Sequence, residues 1–245
     1  HRDLHSFPTR RSSDLRDQIG CTRTFAGKIK QGAENVARFR EAAGEDMDLC
    51  LELHRRLDLA EAEALAREIE RYRPMFYEDP IKPDNLDSMG DLARRISLPI
   101  ATGERLLNIQ EFAMLIRRDA LRYARVSVCA VGGLTPAKKI SALAEGFGVK
   151  VVPHNPGNLS PLSTAACVQL GAAIPNFSIM ELPADEYGEK KTEIVETSVR
   201  LDAGYLSIPE TAGIGAEVRA EALDNPEHQI RKSTRLNSSH RIRSR

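Results

Sequence analysis

The chain has 245 residues, of which 41% are hydrophobic and 29% charged, and its formal net charge at pH 7 is zero. No apolar run is long enough to cross a bilayer as a helix, so the composition predicts a soluble globular protein rather than an integral membrane protein. The four cysteines (Cys21, Cys50, Cys129 and Cys167) are too scattered for a zinc site, which favours reduced thiols in a cytoplasmic protein.

The two ends of the chain differ from its body in charge. Residues 231–245 carry six Arg or Lys and no acid, and residues 1–15 carry three Arg and two Asp. Both ends, through the segments HSFPTRRSSDL and RKSTRLNSSH, resemble conceptual translations of common sequencing-adaptor oligonucleotides. We therefore interpret residues 1–15 and 231–245 as adaptor-derived artefacts. A basic arm that binds nucleic acid or a membrane surface is the alternative interpretation of the C-terminal end.

The body of the chain is acidic. Removing the nine basic and two acidic residues of the two ends from the 35 of each leaves 26 basic and 33 acidic residues. An acidic body is a poor match for a phosphate backbone, so we predict no nucleic-acid partner for it.

Strands and helices alternate along the body, and the first strand shows which side chains face inward. In DMDLCLELH, residues 46–54, one face carries Met47, Leu49, Leu51 and Leu53, and the other carries Asp48, Cys50 and Glu52. We expect the apolar face to meet helices and the second face to point into a barrel.

The later elements keep the order of strand, loop and helix. An Asp58/Glu61 pair typical of a capping box predicts the start of a helix over residues 58–72. Thr135 followed by Pro136 predicts another helix start. Further strands are predicted over residues 75–80, 98–104, 122–128, 149–154 and 177–183, and further helices over residues 84–96, 108–117 and 160–170.

Six polar residues at the strand ends are evenly spaced: Glu52, Glu78, Glu104, Ser127, His154 and Glu181. Their intervals of 26, 26, 23, 27 and 27 residues are the length of one strand plus one helix, which predicts consecutive βα units. Side chains at the C-terminal ends of barrel strands meet on one face. Three carboxylates there would repel one another unless a cation neutralised them, and all-oxygen ligands favour Mg²⁺ or Mn²⁺. The alternative is that each Glu forms an ordinary ion pair, for example with Arg55 or Arg105.

The strand-end motifs ELH, FYEDP, ATGER, VGGLT, VPHNP and IMELP, with the late segment GYLSIPETAGIG, resemble one branch of the enolase superfamily. This is the mandelate racemase/muconate lactonizing enzyme branch, and in particular its galactonate, gluconate and mannonate dehydratases. The resemblance covers roughly residues 32–223 and implies an α/β fold, a partial TIM (β/α) barrel over residues 16–230. It implies strands 3 to 8 of the barrel without the N-terminal capping domain, so we expect two strands before Arg16 in the natural protein.

The resemblance also implies roles for the strand-end residues. Glu52, Glu78 and Glu104 match the ligands of one Mg²⁺ ion, with Mn²⁺ as a possible substitute. His154 matches the base that removes the proton α to a carboxylate, and His54 matches the general acid of the dehydratases. Glu181 matches a protonated carboxyl group that donates a hydrogen bond to the substrate carboxylate. The structural alternatives are a core histidine for His154, a loop residue for His54 and an ion pair for Glu181.

Ser127 departs from the family pattern, which places an Asp there to orient the base. A hydroxyl group supplies no negative charge, so His154 is expected to be a weaker and less well oriented base. Restoring activity with Ser127→Asp would show that the orienting partner was lost.

The implied function is Mg²⁺-dependent dehydration of a sugar acid, an aldonate, to a 2-keto-3-deoxy acid by a cytoplasmic homo-oligomer with no membrane partner. One alternative is a racemase or epimerase, which would use a second base from outside this chain. His54→Ala separates the two, because preserved turnover would exclude dehydration. The other alternative is a noncatalytic or truncated barrel, and with two strands expected upstream we expect the chain itself to be inactive. The sequence does not predict which sugar acid is used.

Overall fold

The computed structural model describes residues 24–224, apart from the side chain of Lys190. A five-stranded parallel sheet forms its centre, in the order β1-β2-β3-β4-β5. Its strands are β1 (Cys50–Glu52), β2 (Phe76–Glu78), β3 (Ile100–Thr102), β4 (Tyr123–Ala124) and β5 (Lys150–Val151). An isolated parallel bridge between Val151 and Phe177 extends the sheet beyond β5. The two predicted adaptor-derived segments, 1–15 and 231–245, lie outside the described residues.

Six helices alternate with these strands. They are α1 (Phe25–Ala43), α2 (Leu59–Ile69, extended by a 3₁₀ turn over Glu70–Tyr72), α3 (Leu86–Arg95), α4 (Ile109–Arg117), α5 (Leu134–Gly146) and α6 (Pro161–Ala172). Consecutive helices pack side by side against the sheet. The predicted α/β architecture of repeated βα units is confirmed.

Local sequence signals explain where several helices begin. Asp58 and Glu61 form the predicted capping box at the start of α2, and Asn108 and Glu111 form a second one at α4. Each box satisfies two backbone N–H groups that the first helical turn leaves free. The start of α5 differs from the prediction. Gly133 is the N-cap and Leu134 the first helical residue, so Thr135, which was predicted to open the helix, lies inside it.

The face alternation predicted for the first strand is confirmed from Leu49 to Leu53, whereas Met47, predicted on the face of the leucines, lines the interior cavity. Leu49, Leu51 and Leu53 are buried in the main hydrophobic core with the helices, while Cys50 and Glu52 line the interior cavity. The leucines of the first strand therefore face outward to the helices, while Cys50 and Glu52 face inward, where Phe76, Ala101 and Val152 form a separate apolar cluster.

The last predicted strand, residues 177–183, does not form as a strand. Only the bridge at Phe177 and the hydrogen bond from the Ser178 N–H to the Val151 carbonyl join it to the sheet. In the described residues this segment has a neighbour on one side only, and a strand needs regular pairing to be maintained.

Beyond this segment the chain forms a small appendage of short elements. They are α7 (Glu189–Thr192), β6 (Val195–Thr197), β7 (Leu201–Asp202), β8 (Tyr205–Leu206), β9 (Ala216–Val218) and α8 (Ala220–Asp224). β6 pairs antiparallel with β9, and β7 pairs antiparallel with β8. Within residues 24–224, no helix is both long and apolar enough to span a membrane.

Candidate metal and catalytic site

Three glutamates meet at the C-terminal ends of the first three strands. Glu52, Glu78 and Glu104 each offer one carboxylate oxygen, and these oxygens all lie within 4.8 Å of one another. The grouping predicted from the spacing of the sequence is therefore present in the fold.

The parallel register explains this convergence. Glu52 and Glu78 are direct neighbours across β1 and β2, so their side chains project from the same level of the sheet. Glu104 lies two residues beyond β3, after Gly103, which has a φ of 131°. A Cβ atom at Gly103 would lie 2.7 Å from the Phe112 ring and 3.1 Å from the Arg125 carbonyl oxygen. The absence of a side chain at residue 103 thus lets the chain turn and place Glu104 beside the other two.

Glu52 is the site carboxylate without a cationic partner in residues 24–224. It accepts a hydrogen bond from the backbone N–H of His54. Burial, followed by the negative charges of Glu78, Asp79 and Glu104, raises the pKa of Glu52 well above its usual value. The ionised form of Glu52 is therefore unfavourable until a positive charge comes close.

Glu104 is, by contrast, held between the Arg55 guanidinium and the imidazole of His154. Its Oε2 lies 2.9 Å from His154 Nε2, and its Oε1 accepts a hydrogen bond from Arg55 Nη1. Burial opposes ionisation, but the hydrogen bond and charge of His154, together with Arg55, outweigh it and lower the pKa of Glu104 to about 2. Glu104 is the site carboxylate most strongly held in its ionised form.

Arg55 also pairs with the buried Asp79, at the end of β2. Its Nη2 lies 2.8 Å from His54 Nε2, so His54 stands beside the same cluster. His54, Arg55 and Asp79 all have positive φ angles, of 50°, 63° and 41°. Such backbone conformations cost energy in residues other than glycine and concentrate at functional sites.

Arg125 is a buried residue of the site that the sequence analysis did not identify. It extends inward just after β4, its side chain only 5% exposed, and it forms ion pairs with both Glu78 and Glu181. Burial raises the pKa of Glu78 to about 7, against the lowering effect of the Arg125 charge. The sequence did contain a signal for Arg125. Arg125 and Ser127 are two residues apart, so they share one face of the strand predicted over residues 122–128, and that inward face therefore carries a charged side chain.

Ser127 is buried, with 4% of its surface exposed, but it does not orient the histidine. His154 Nδ1 is buried and has no hydrogen-bond partner in the described structure. The imidazole is held at Nε2 by Glu104 instead. Arg105, the other arginine considered as a partner for the glutamates, is exposed.

The site contains more acid than base. Asp79 and Glu181 bring the carboxylates to five, whereas Arg55 and Arg125 supply two permanent positive charges. Three converging carboxylate oxygens are the donor set of a hard divalent cation. The two positive charges of such a cation would offset most of the excess negative charge. The residues present therefore fit a Mg²⁺ or Mn²⁺ ion.

An interior cavity of about 380 Å³ adjoins this cluster. Its polar lining includes Cys50, Glu52, Glu78, Arg125 and Glu181. Its volume is within the range of small-molecule sites. The structure thus brings Glu52, Glu78, Glu104, His54, His154 and Glu181 to one end of the sheet.

Comparison with known proteins agrees with this geometry. The family model described as enolase C-terminal domain-like matches residues 16–222. The D-galactonate dehydratase family member RspA of Pantoea ananatis is 33% identical over 75% of this chain and 43% of its own length. The D-gluconate dehydratase of Thermoproteus tenax is 30% identical over 80% of this chain and 39% of its own length.

Solved structures show the same likeness. A member of the enolase superfamily from Salmonella Typhimurium superposes with a TM-score of 0.76 at 31% identity, over 80% of this chain and 49% of that one. The chain therefore spans less than half the length of these two relatives and this structure.

Proposed function

Since the chain belongs to the family of enolase C-terminal domain-like proteins, we propose that its site serves the dehydration of a sugar acid. The substrate would be an aldonate and the product a 2-keto-3-deoxy acid. Relatives named as D-galactonate dehydratase family member and D-gluconate dehydratase support this reaction class. The observation that carries the proposal is the convergence of three glutamate oxygens within 4.8 Å of one another, beside His154.

In this proposal Glu52, Glu78 and Glu104 hold one Mg²⁺ ion, with Mn²⁺ able to replace it. When bound, the divalent cation supplies positive charge to the substrate carboxylate as negative charge accumulates on its oxygens. The raised pKa of Glu52 supports a cation here, because this half-buried carboxylate forms no ion pair within residues 24–224.

His154 is proposed as the base that takes the proton from C2 of the substrate. Neutral imidazole becomes imidazolium on accepting this proton, and a nearby negative charge stabilises that form. Glu104, at 2.9 Å from Nε2, supplies the charge that Ser127 cannot. His154 would then be supported by a carboxylate in the loop after β3 rather than by one at the end of β4.

His54 is proposed as the acid that protonates the departing C3 hydroxyl, which leaves as water. The proton comes from the imidazolium form of His54, which is left as neutral imidazole. The resulting enol tautomerises to the 2-keto acid. Glu181 is proposed to carry a proton on Oε1 and to donate it in a hydrogen bond to the substrate carboxylate, since its Oε2 accepts from Arg125 and from the Asn155 N–H.

We also propose that the chain by itself does not turn over substrate. In residues 24–224, β1 pairs only with β2, and Phe177 pairs only with Val151. Glu52 and Glu181 therefore lie on two sheet edges that face each other across the cavity without strands to fix their separation. A site that must be accurate to less than an ångström would then be too loose for catalysis.

A chimera tests the proposed function separately from the effect of the unpaired sheet edges. The part of the Thermoproteus tenax D-gluconate dehydratase that this chain matches is replaced by residues 24–224, and both the chimera and the chain alone are incubated with Mg²⁺ and a panel of aldonates. We expect 2-keto-3-deoxy acid from the chimera only, and none from its Glu52→Gln variant. The exposed Glu196→Gln change is the matched control and should leave turnover intact.

Three outcomes would contradict these proposals. Turnover by the chain alone would refute its inactivity. A folded chimera that neither forms product nor exchanges the C2 proton with D₂O would refute the dehydratase. Exchange at C2 without loss of water, unchanged by His54→Ala, would indicate a racemase or epimerase instead.

A further inference from the structure

Arg125 joins four acceptors from three different segments of the chain. Its Nε donates to Glu78 Oε1, and its Nη2 donates to Glu181 Oε2 at 2.6 Å. Its Nη1 donates to the carbonyl oxygens of Val152 and Pro153 at 3.2 and 3.3 Å. The side chain therefore links the end of β2, the end of β5 and the segment after the bridge at Phe177.

We infer that Arg125 is a positioning residue that sets the separation of the Glu78 and Glu181 carboxylates and fixes the backbone from which His154 extends. The part of this inference that concerns metal binding rests on the proposed function. The part that concerns Glu181 and the backbone does not.

The shape of the arginine side chain supports this role. A guanidinium group is planar and presents five N–H donors in a fixed arrangement, so it can hold two carboxylates at a set distance. A lysine ammonium has the same charge, but its three donors leave from a single atom on a flexible stem. Charge alone could keep Glu78 and Glu181 together, whereas only the planar group determines how each is oriented.

Each carboxylate then has one oxygen fixed and one oxygen left for chemistry. Arg125 holds Glu78 Oε1, which leaves Oε2 as the oxygen able to approach a cation beside Glu52. Glu181 Oε2 is held by Arg125 and by the Asn155 N–H at 3.0 Å, which leaves Oε1 for a substrate. Asn155 directly follows His154, so the Glu181 contact also restrains the position of the proposed base.

The Arg125→Lys variant separates positioning from charge. We expect the dissociation constant for Mn²⁺, measured on the full chain by electron paramagnetic resonance, to rise about tenfold, because residues that orient ligands contribute on this scale. We also expect amide hydrogen exchange at Asn155 to accelerate about tenfold. Exchange at Lys150, whose N–H donates to the Arg122 carbonyl at the far end of the same pair of strands, should not change.

Arg122→Lys is the matched control. Arg122 is three residues earlier, and its exposed side chain pairs with Asp119 outside the site. The same Arg-to-Lys change there should leave both the Mn²⁺ affinity and the Asn155 exchange as in the parent chain.

The two measurements decide different parts of the inference. Unchanged Mn²⁺ affinity would overturn the role at Glu78, and unchanged Asn155 exchange would overturn the role at Glu181. A parent chain that binds no Mn²⁺ would refute the proposed metal site and with it the role at Glu78, while the exchange measurement would still decide the role at Glu181. If Arg125→Lys does not fold by circular dichroism, Arg125→Gln is measured in its place. Failure of both variants to fold would overturn the inference, because Arg125 would then be required for the fold itself.

Discussion

At the residue scale, the acids of the site are not equivalent, although their spacing in the sequence is uniform. Glu104 lies between Arg55 and His154, and Glu78 pairs with Arg125, whereas Glu52 forms no ion pair within the described chain and its pKa is raised by burial and by neighbouring acids. The sequence predicted which carboxylates would meet. It could not predict which arginines would pair with them, because those pairs join residues 47 to 56 positions apart.

The different surroundings of Glu52 and Glu104 predict opposite effects of the same Glu-to-Gln substitution at the two positions. In EDTA at pH 7, Glu52→Gln should increase the free energy of unfolding by roughly 1 kcal/mol, because folding raises the pKa of Glu52 and its ionised form opposes folding. Glu104→Gln should decrease it by about 1–3 kcal/mol through loss of charge-assisted hydrogen bonds. Chemical denaturation of both variants measures the difference, and a fall of equal size in both would contradict it.

The histidine shows where prediction from a family pattern ends. Position along the chain placed His154 beside the glutamates, and with serine at residue 127 the Nδ1 atom of His154 has no hydrogen-bond partner in the described residues. The substitute contact to Glu104 depends on how far the loop after β3 extends beyond the strand, which no local sequence signal specifies.

At the scale of elements, helices were easier to predict than strands. The helix starts at Asp58 and Asn108 carry their own hydrogen-bonding signals within four residues, so their bounds are encoded locally. A strand is defined by its neighbour, which is why the segment after Phe177 was predicted as a full strand and forms only a bridge. Strand bounds in the sheet are likewise shorter than the β-rich runs suggested.

The capping box of α2 allows a direct test of this local encoding. Asp58→Ala should lower the free energy of unfolding by about 1 kcal/mol, because the Glu61 N–H loses its acceptor at the helix start. Asp91→Ala is the control, since Asp91 lies inside α3 and forms an exposed ion pair with Arg94 that contributes little. Urea denaturation compares them, and equal losses would argue against the cap.

The turn after β3 offers a test that couples an element to the site. Gly103→Ala should lower the free energy of unfolding by about 2–4 kcal/mol through backbone strain and overpacking against Phe112. It should also weaken Mg²⁺ binding, because Glu104 is the next residue. At Gly132, which has a φ of 94° and no atom nearer than 3.9 Å to an added Cβ, Ala adds strain alone, about 1–2 kcal/mol.

Guanidinium denaturation and Mg²⁺ titration of both glycine variants provide the measurement. Equal destabilisation would show that contact with Phe112 does not restrict residue 103. Unchanged Mg²⁺ affinity in Gly103→Ala would show that the turn does not position Glu104.

At the scale of the whole molecule, the site is shared among the ends of adjacent strands of the sheet and the segment after Phe177. Glu52 and Glu181 both line the cavity, and the five carboxylates of the site outnumber its two arginines. Binding of a divalent cation should therefore act on the stability of the whole fold. The spacing of the strand-end residues in the sequence predicted where such an ion would bind. The excess of carboxylates over arginines at the site could be counted only from the structure, which shows which arginines lie there.

Mg²⁺ should accordingly raise the thermal unfolding midpoint of the chain. A ligand that binds only the folded state at 100 times its dissociation constant stabilises by about 2.7 kcal/mol, which corresponds to a shift of roughly 5–10 °C for a chain of this size. Calorimetry with Mg²⁺ and with EDTA measures the shift. Glu52→Gln should abolish it, because one of the three converging oxygens loses its charge, whereas Glu196→Gln, outside the site, should retain it. A shift of the same size in the Glu52→Gln variant would mean that Mg²⁺ stabilises the fold from another place.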